Sequence, residues 1–269
     1  MPIPLHDYSI TVSGAPYKYD PALQMEFEAT VANAIIRGQI AKTAVGKLVL
    51  SRIKNGPGDV EIYPRYKTGL NAEADYQLKS NSSGRLIGRD PHKIVVWFKP
   101  QQWKETLPAS HATIPTNLRA FQPGMLRDEV LLHELVHSGR LLDGFAQVSH
   151  KLAPNPDDVA PYANADSAAY ENIEEFMTIL VSNIYLSEKG QKVFRASHGG
   201  DGYPYILDQA QSSSEGFLSK KSNLALVKFF CETDRLAPKL VAIDTPFNPV
   251  RAFFIKNPLT YTVNGSLNN

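Results

Sequence analysis

"LLHELVHSGRLLDG", residues 131–144, places His133 and His137 four positions apart, with Glu134 directly after the first. On a helix, residues i and i+4 project from one face about a turn apart, so both imidazoles can address a single ion. Glu134 lies about 100° further round, too displaced to be a third ligand but able to reach a water on that ion. The spacing His-Glu-x-x-His therefore supplies two ligands and a general base from one turn of helix. Val130, Leu131, Leu132, Leu135, Val136, Leu141 and Leu142 make the segment apolar on nearly every side, which predicts a buried helix. Buried histidines need partners; the competing reading is a pair of core histidines satisfied by backbone or carboxylate groups.

Zinc lowers the pKa of a bound water toward about 7, and a neighbouring carboxylate can then take its proton as the oxygen attacks a polarised carbonyl. Glu134 would take that proton and return it to the leaving amine, so peptide or amide hydrolysis is the natural outcome. Catalytic zinc usually has three protein ligands. The extended metzincin pattern needs glycine three residues after the second histidine and His or Asp six residues after it. Arg140 and Asp143 occupy those positions and the glycine sits at 139. Asp143 is thus a candidate ligand without the turn glycine.

A second candidate lies in "YENIEEFMTILVSNIYLSEKG" (170–190), where Phe176, Leu180 and Ile184 mark an apolar face and Glu171, Glu175, Thr178 and Ser182 a polar stripe. Enough chain separates Glu175 from His137 for a return helix to bring its carboxylate over the first helix. Glu174 is its neighbouring alternative. The competing reading has Glu171, Glu174 and Glu175 favouring the positive end of a helix, worth well under about 1 kcal/mol each when exposed.

The whole chain allows such a site. Its 269 residues can bury a substantial core in one domain or two packed lobes. With 43% hydrophobic and 20% charged residues and a formal charge of +1, the chain gives no reason to expect nucleic acid as a partner. The single cysteine, Cys231, excludes an intramolecular disulfide and a cysteine-based zinc site, so any metal is held by His, Asp or Glu. "MPIPLHDYSITVSG" at the N-terminus has neither a basic start nor an apolar run, so no cleavable signal is readable. No apolar stretch is long enough to predict a membrane span. A cytoplasmic protein fits, as does one exported without a cleavable signal.

Asp20-Pro21 reads as a helix start, with Leu23, Phe27, Val31 and Ile35 following at four-residue intervals; Ile40, Ala44 and Leu48 repeat the spacing until "KNGPGD" (54–59). Residues 60–66 read as a short strand, 67–90 as a surface hairpin or loop, and 92–100, "HKIVVWFKP", as the best strand in the chain. A polar connection runs to residue 124 and could rim an active site. Helices are expected over 125–143 and about 167–188, 204–212 and 215–237. The order predicts an α+β fold in a single domain, with helices and a small mixed sheet over 1–124 and the active-site helix and a mainly helical lobe over 125–269. Residues 1–20 read as either a regulatory arm or a piece of the fold.

"HELVH" followed by a downstream helix with "EEFMT" resembles the zincin metallopeptidases of the gluzincin type, and the run after the glutamate is most similar to the catalytic domain of anthrax lethal factor. Size, strand-then-helix order and lack of a signal also resemble the single-domain metallopeptidase toxins that bacteria inject through secretion systems. The resemblance covers roughly residues 90–190 and rests on the two helices. It implies a zincin-like fold, zinc bound by His133, His137 and Glu175, Glu134 as base, and a protein or peptide substrate. It further implies a strand that lies antiparallel to the substrate, for which "KIVVWF" is the counterpart here, and a secretion-system carrier or an immunity protein as partner. Such enzymes place a Tyr, His or Arg opposite the base to donate to the oxyanion. Tyr170 is the first choice, His198 in "RASHGGDGYPY" the second and Arg140 the third; each has a structural reading as a core tyrosine, a solvated loop residue or a helix C-terminal charge. Two readings compete with a peptidase: a zinc amidase or deacetylase acting on a small or cell-wall substrate, and an inactive zincin-like interaction domain.

Overall fold

Two parallel strands, β3 (Asp59–Pro64) and β5 (Leu86–Phe98), form the centre of a five-stranded mixed sheet. In the computed structural model, residues 2–65, 72–80, 83, 86–103, 124, 126–144, 173–197 and 205–257 are described. The chain divides into two compact units, Met1–Val148 and Ser149–Asn269. Together they make an α+β protein, with eight α-helices among the described residues.

The first unit holds the whole sheet, in the order β1-β2-β3-β5-β4. β1 (Ile3–Leu5) and β2 (Ile10–Val12) are antiparallel, β2 runs parallel to β3, and β4 (Glu73–Ser80) runs antiparallel to β5. The N-terminal residues are therefore a piece of the fold, with Leu5, Ile10 and Val12 in its core. The segment read as hairpin or loop contains the β4–β5 hairpin, and the strand expected from residue 92 begins at Leu86.

Alternation sets the two faces of β5. Ile94, Val96 and Phe98 are fully buried on one side, where the helices pack, whereas Val95 and Trp97 point to the other. Val95 and Trp97 each have a partner on both sides: Val95 faces Glu61 and Asp75, and Trp97 faces Tyr63 and Glu73. This corrects the expectation that "KIVVWF" pairs with substrate. Its backbone is already paired to β3 and β4, and among the described residues β4 is the outermost strand on that side of the sheet.

α1 (Pro21–Ala29) begins as Asp20-Pro21 demands, the Asp20 carboxylate accepting from the Leu23 N–H at 3.0 Å. Its continuation, residues 30–37, widens into π-helical turns, which keep Val31, Ala32, Ile35 and Ile36 all buried. The next helix, α2 (Ala44–Lys54), does not bury Ala44 as the spacing from Ile40 suggested. Thr43 caps a new helix by accepting from Gly46 N–H, and this restart turns Val45, Val49, Leu50 and Ile53 inward.

α3 (Arg127–Leu142) carries the His-Glu-x-x-His sequence and packs on α2, β4 and β5. Leu131, Leu132 and Leu135 are fully buried, each worth roughly 1.5–3 kcal/mol relative to exposure. At its start, Asp128 and Glu129 sit in the first turn, where negative charge is favoured by the positive end of the helix dipole, and both Glu129 oxygens accept from Gly124 N–H, at 2.7 and 2.6 Å.

The second unit is helical in its described residues: α4 (Ile173–Glu188), α5 (Ser214–Ser219), α6 (Lys221–Thr233), α7 (Ala237–Leu240) and α8 (Pro249–Lys256). Phe194 stacks on Phe247 with centroids 4.3 Å apart, and Phe217 meets both Phe247 and Phe176. The expected helix at about 204–212 is absent. Its first residues instead pair with an earlier segment, Ala196 N–H donating to Tyr205 O and Leu207 N–H to Phe194 O, and Asp208 then organises a turn by accepting from Gln211 N–H. The expected helix at 215–237 is likewise broken, at Lys220, whose backbone is extended.

No helix among the described residues is long and apolar enough to cross a membrane.

Candidate metal centre on the HELVH helix

The i, i+4 spacing brings the two imidazoles together on α3. His133 Nε2 and His137 Nε2 lie 3.2 Å apart, and the rings meet nearly edge to face, at 83° with centroids separated by 4.7 Å. Two nitrogens bound to one zinc at about 2.0–2.1 Å with a tetrahedral angle stand about 3.3 Å apart, so the pair already has the spacing that one ion requires. Without an ion, the same geometry lets one neutral ring donate to the other, with the tautomer setting which is the donor.

His133 is 3% exposed and Glu134 is 7% exposed, while His137 is half-buried. Ser138 Oγ donates to Glu134 O at 2.7 Å, a hydroxyl satisfied within the helix itself. Among the described residues, His133, His137 and Glu175 form a group that could hold a metal ion: each offers one ligand atom, and these atoms all lie within 4.8 Å of one another. Two imidazoles and a carboxylate are a donor set that suits zinc and leave a coordination position for water.

Glu175 sits in the first turn of α4 and is half-buried, beside the buried Glu174. Within the polar stripe of this helix, Ser182 Oγ donates to Thr178 O at 2.9 Å, a bond inside the helix. Further along, Ser187 Oγ accepts from the distant Phe247 N–H at 2.8 Å. One polar residue of this helix was not singled out by sequence reasoning. The Asn183 carboxamide clamps the backbone of Arg195, Nδ2 donating to its carbonyl at 2.8 Å and Oδ1 accepting from its N–H at 2.9 Å. No signal in the sequence marks that residue, because an asparagine on a helix forecasts no particular distant partner.

Asp143 has a different occupation. Its Oδ2 accepts from Arg52 Nε at 2.9 Å and stands 2.8 Å from Arg52 Nη2, a two-pronged grip at the C-terminal end of α3. The glycine at 139 belongs to this arrangement: a Cβ there would stand 2.9 Å from Arg52 Cδ, so glycine opens the path by which the arginine stem reaches Asp143. Gly144, at φ +73°, then ends the helix in the left-handed conformation. Tyr76 Oη donates to Leu141 O at 2.9 Å and ties β4 to the same helix end. Arg140 is 5% exposed on α3. Tyr170 and His198 lie outside the described residues.

Comparison with protein-family models, with curated proteins and with solved structures gave no match.

Proposed function

We propose that this chain is a zinc-dependent metallopeptidase of the zincin type, with His133, His137 and Glu175 as ligands and Glu134 as general base. The observation that carries the reading is the 3.2 Å approach of the two histidine Nε2 atoms on a buried helix that also bears Glu134. A zinc ion held by these groups would supply Lewis-acid polarisation of a water and of the scissile carbonyl.

The remaining steps belong to the protein. Glu134 accepts a proton from the attacking water on its carboxylate and delivers it to the amide nitrogen as the C–N bond breaks. The dense packing of α3 fixes both imidazoles and the base before substrate arrives, which avoids reorganisation at the moment of reaction. An extended peptide pairs with the outer edge of β4, the outermost strand among the described residues, which packs with β5 against α3. The oxyanion donor is proposed as Tyr170 or His198, with Arg140 as the third choice. A role as an effector toxin delivered into another cell extends the same reading.

The test is cleavage of a degenerate peptide library by the native protein and Glu134→Gln, read by mass spectrometry of the products. The variant is expected to keep its metal and to lose at least about a hundredfold in rate, the usual scale for a general base. Equal cleavage by the variant would falsify the mechanism.

A further inference from the structure

The sheet face turned away from α3 carries a second site that the metallopeptidase reading does not use. Here β3, β5 and β4 present side chains in register: Tyr63, Trp97 and Glu73 form one row, and Glu61, Val95 and Asp75 the next. An open cavity of about 690 Å³ lies over these strands, with Arg65 and Gln77 among its lining residues. That volume falls within the range of small-molecule sites, roughly 300–1,000 Å³.

Its chemistry is specific. Trp97 is 36% exposed, an unusual situation for a tryptophan in the middle of a sheet, and lies beside Tyr63 with ring centroids 5.5 Å apart and planes tilted by 33°. The Tyr63 hydroxyl donates to Glu61 Oε2 at 2.6 Å, which anchors that ring. Val95 completes an apolar floor. Around it stand planar polar groups of both signs in near balance: Arg65 pairs with Glu73 at 3.2 Å, and Arg89 with Asp75 at 3.5 Å. With the Glu73 and Asp75 carboxylates each paired to an arginine and the Glu61 carboxylate engaged by the Tyr63 hydroxyl, a charged ligand gains little from this rim. A neutral ring with an apolar face and a hydroxyl-rich edge gains from both parts, since its C–H face can lie on the indole while carboxylate, amide and guanidinium groups bond its hydroxyls.

We propose that this face binds a neutral saccharide, with a pyranose ring stacked on Trp97 and its hydroxyls held by Glu73, Asp75, Gln77 and Arg65. The site gives the protein a way to dock on a glycan independently of the HELVH helix, and it stands whether or not zinc binds there.

The experiment titrates the full chain with chitotriose, cellotriose and maltotriose, following tryptophan fluorescence and saturation-transfer NMR. Trp103, the other tryptophan, is 7% exposed, so a fluorescence change reports mainly on Trp97. Saturable binding of at least one trisaccharide is expected below about 10 mM, weakened at least about tenfold by Trp97→Ala and about threefold by the milder Gln77→Ala. Circular dichroism and Tm establish that each variant is folded. Absence of binding by all three sugars overturns the proposal. So does affinity unchanged in a folded Trp97→Ala protein, or preference for an arginine-containing tripeptide over every sugar.

Discussion

Arg52 on α2 holds Asp143 at the end of α3 through two guanidinium nitrogens, at 2.9 and 2.8 Å from a single carboxylate oxygen. The residue that the sequence offers as an alternative metal ligand is thereby occupied as an anchor. Asp143→Asn should cost about 1–3 kcal/mol of stability, because it strips the charge from a largely buried pair while leaving a hydrogen-bond acceptor. Metal uptake should be unchanged. Gly139→Ala should destabilise similarly, about 1–3 kcal/mol, by pressing on the arginine stem. Chemical denaturation measures the stability term; loss of metal uptake in folded Asp143→Asn would return Asp143 to the ligand set.

Burial, the hydrogen bond to Glu61 and the charge of that carboxylate, in that order, push the Tyr63 hydroxyl up to about 12. The folded protein thus holds its proton more tightly than an unfolded tyrosine does. This contribution to stability is complete below the ordinary value of about 10 and is lost as pH rises toward 12. Removing the ring's hydroxyl with Tyr63→Phe should flatten that part of the stability profile. Ultraviolet titration of phenolate at equilibrium checks the shift directly, and a Tyr63 that ionises with the bulk tyrosines contradicts it.

Cys231 is the sole cysteine, and burial, aided by neighbouring Glu232, pushes its thiol up to about 12. Since the thiolate is the reactive form, a disulfide reagent at pH 8 should modify the folded protein about a thousandfold more slowly than the denatured chain. Rapid modification of the native protein would place this side chain in an environment different from the buried face of α6.

Legibility in the sequence followed locality. The α3 segment announced itself because a dense apolar surround and an i, i+4 pair are both local properties, and Asp20-Pro21 marked α1 because a cap acts within one turn. Asn248-Pro249 carries the same signal, with Asn248 Oδ1 accepting from Arg251 N–H at 3.0 Å, yet the helix it opens was not anticipated. β1 and β2 were unreadable for a different reason: each spans only three residues, and a strand that short is specified by the neighbour it pairs with. The expected helix at 204–212 failed because pairing of 205–207 with 194–196 outweighed local preference. At the candidate site, the sequence singled out His133, Glu134, His137 and Glu175. The task of Asp143 could not be read there, since its partner Arg52 is remote in the chain.

The most direct test of the central claim is zinc stoichiometry measured by mass spectrometry on protein first stripped with a chelator and then re-exposed to the ion. The native chain is expected to take up about one zinc, and His137→Ala to take up far less while remaining folded, because two remaining ligands hold the ion poorly. A native protein that takes up none, or a His137→Ala variant that binds as well as the native chain, would contradict the account.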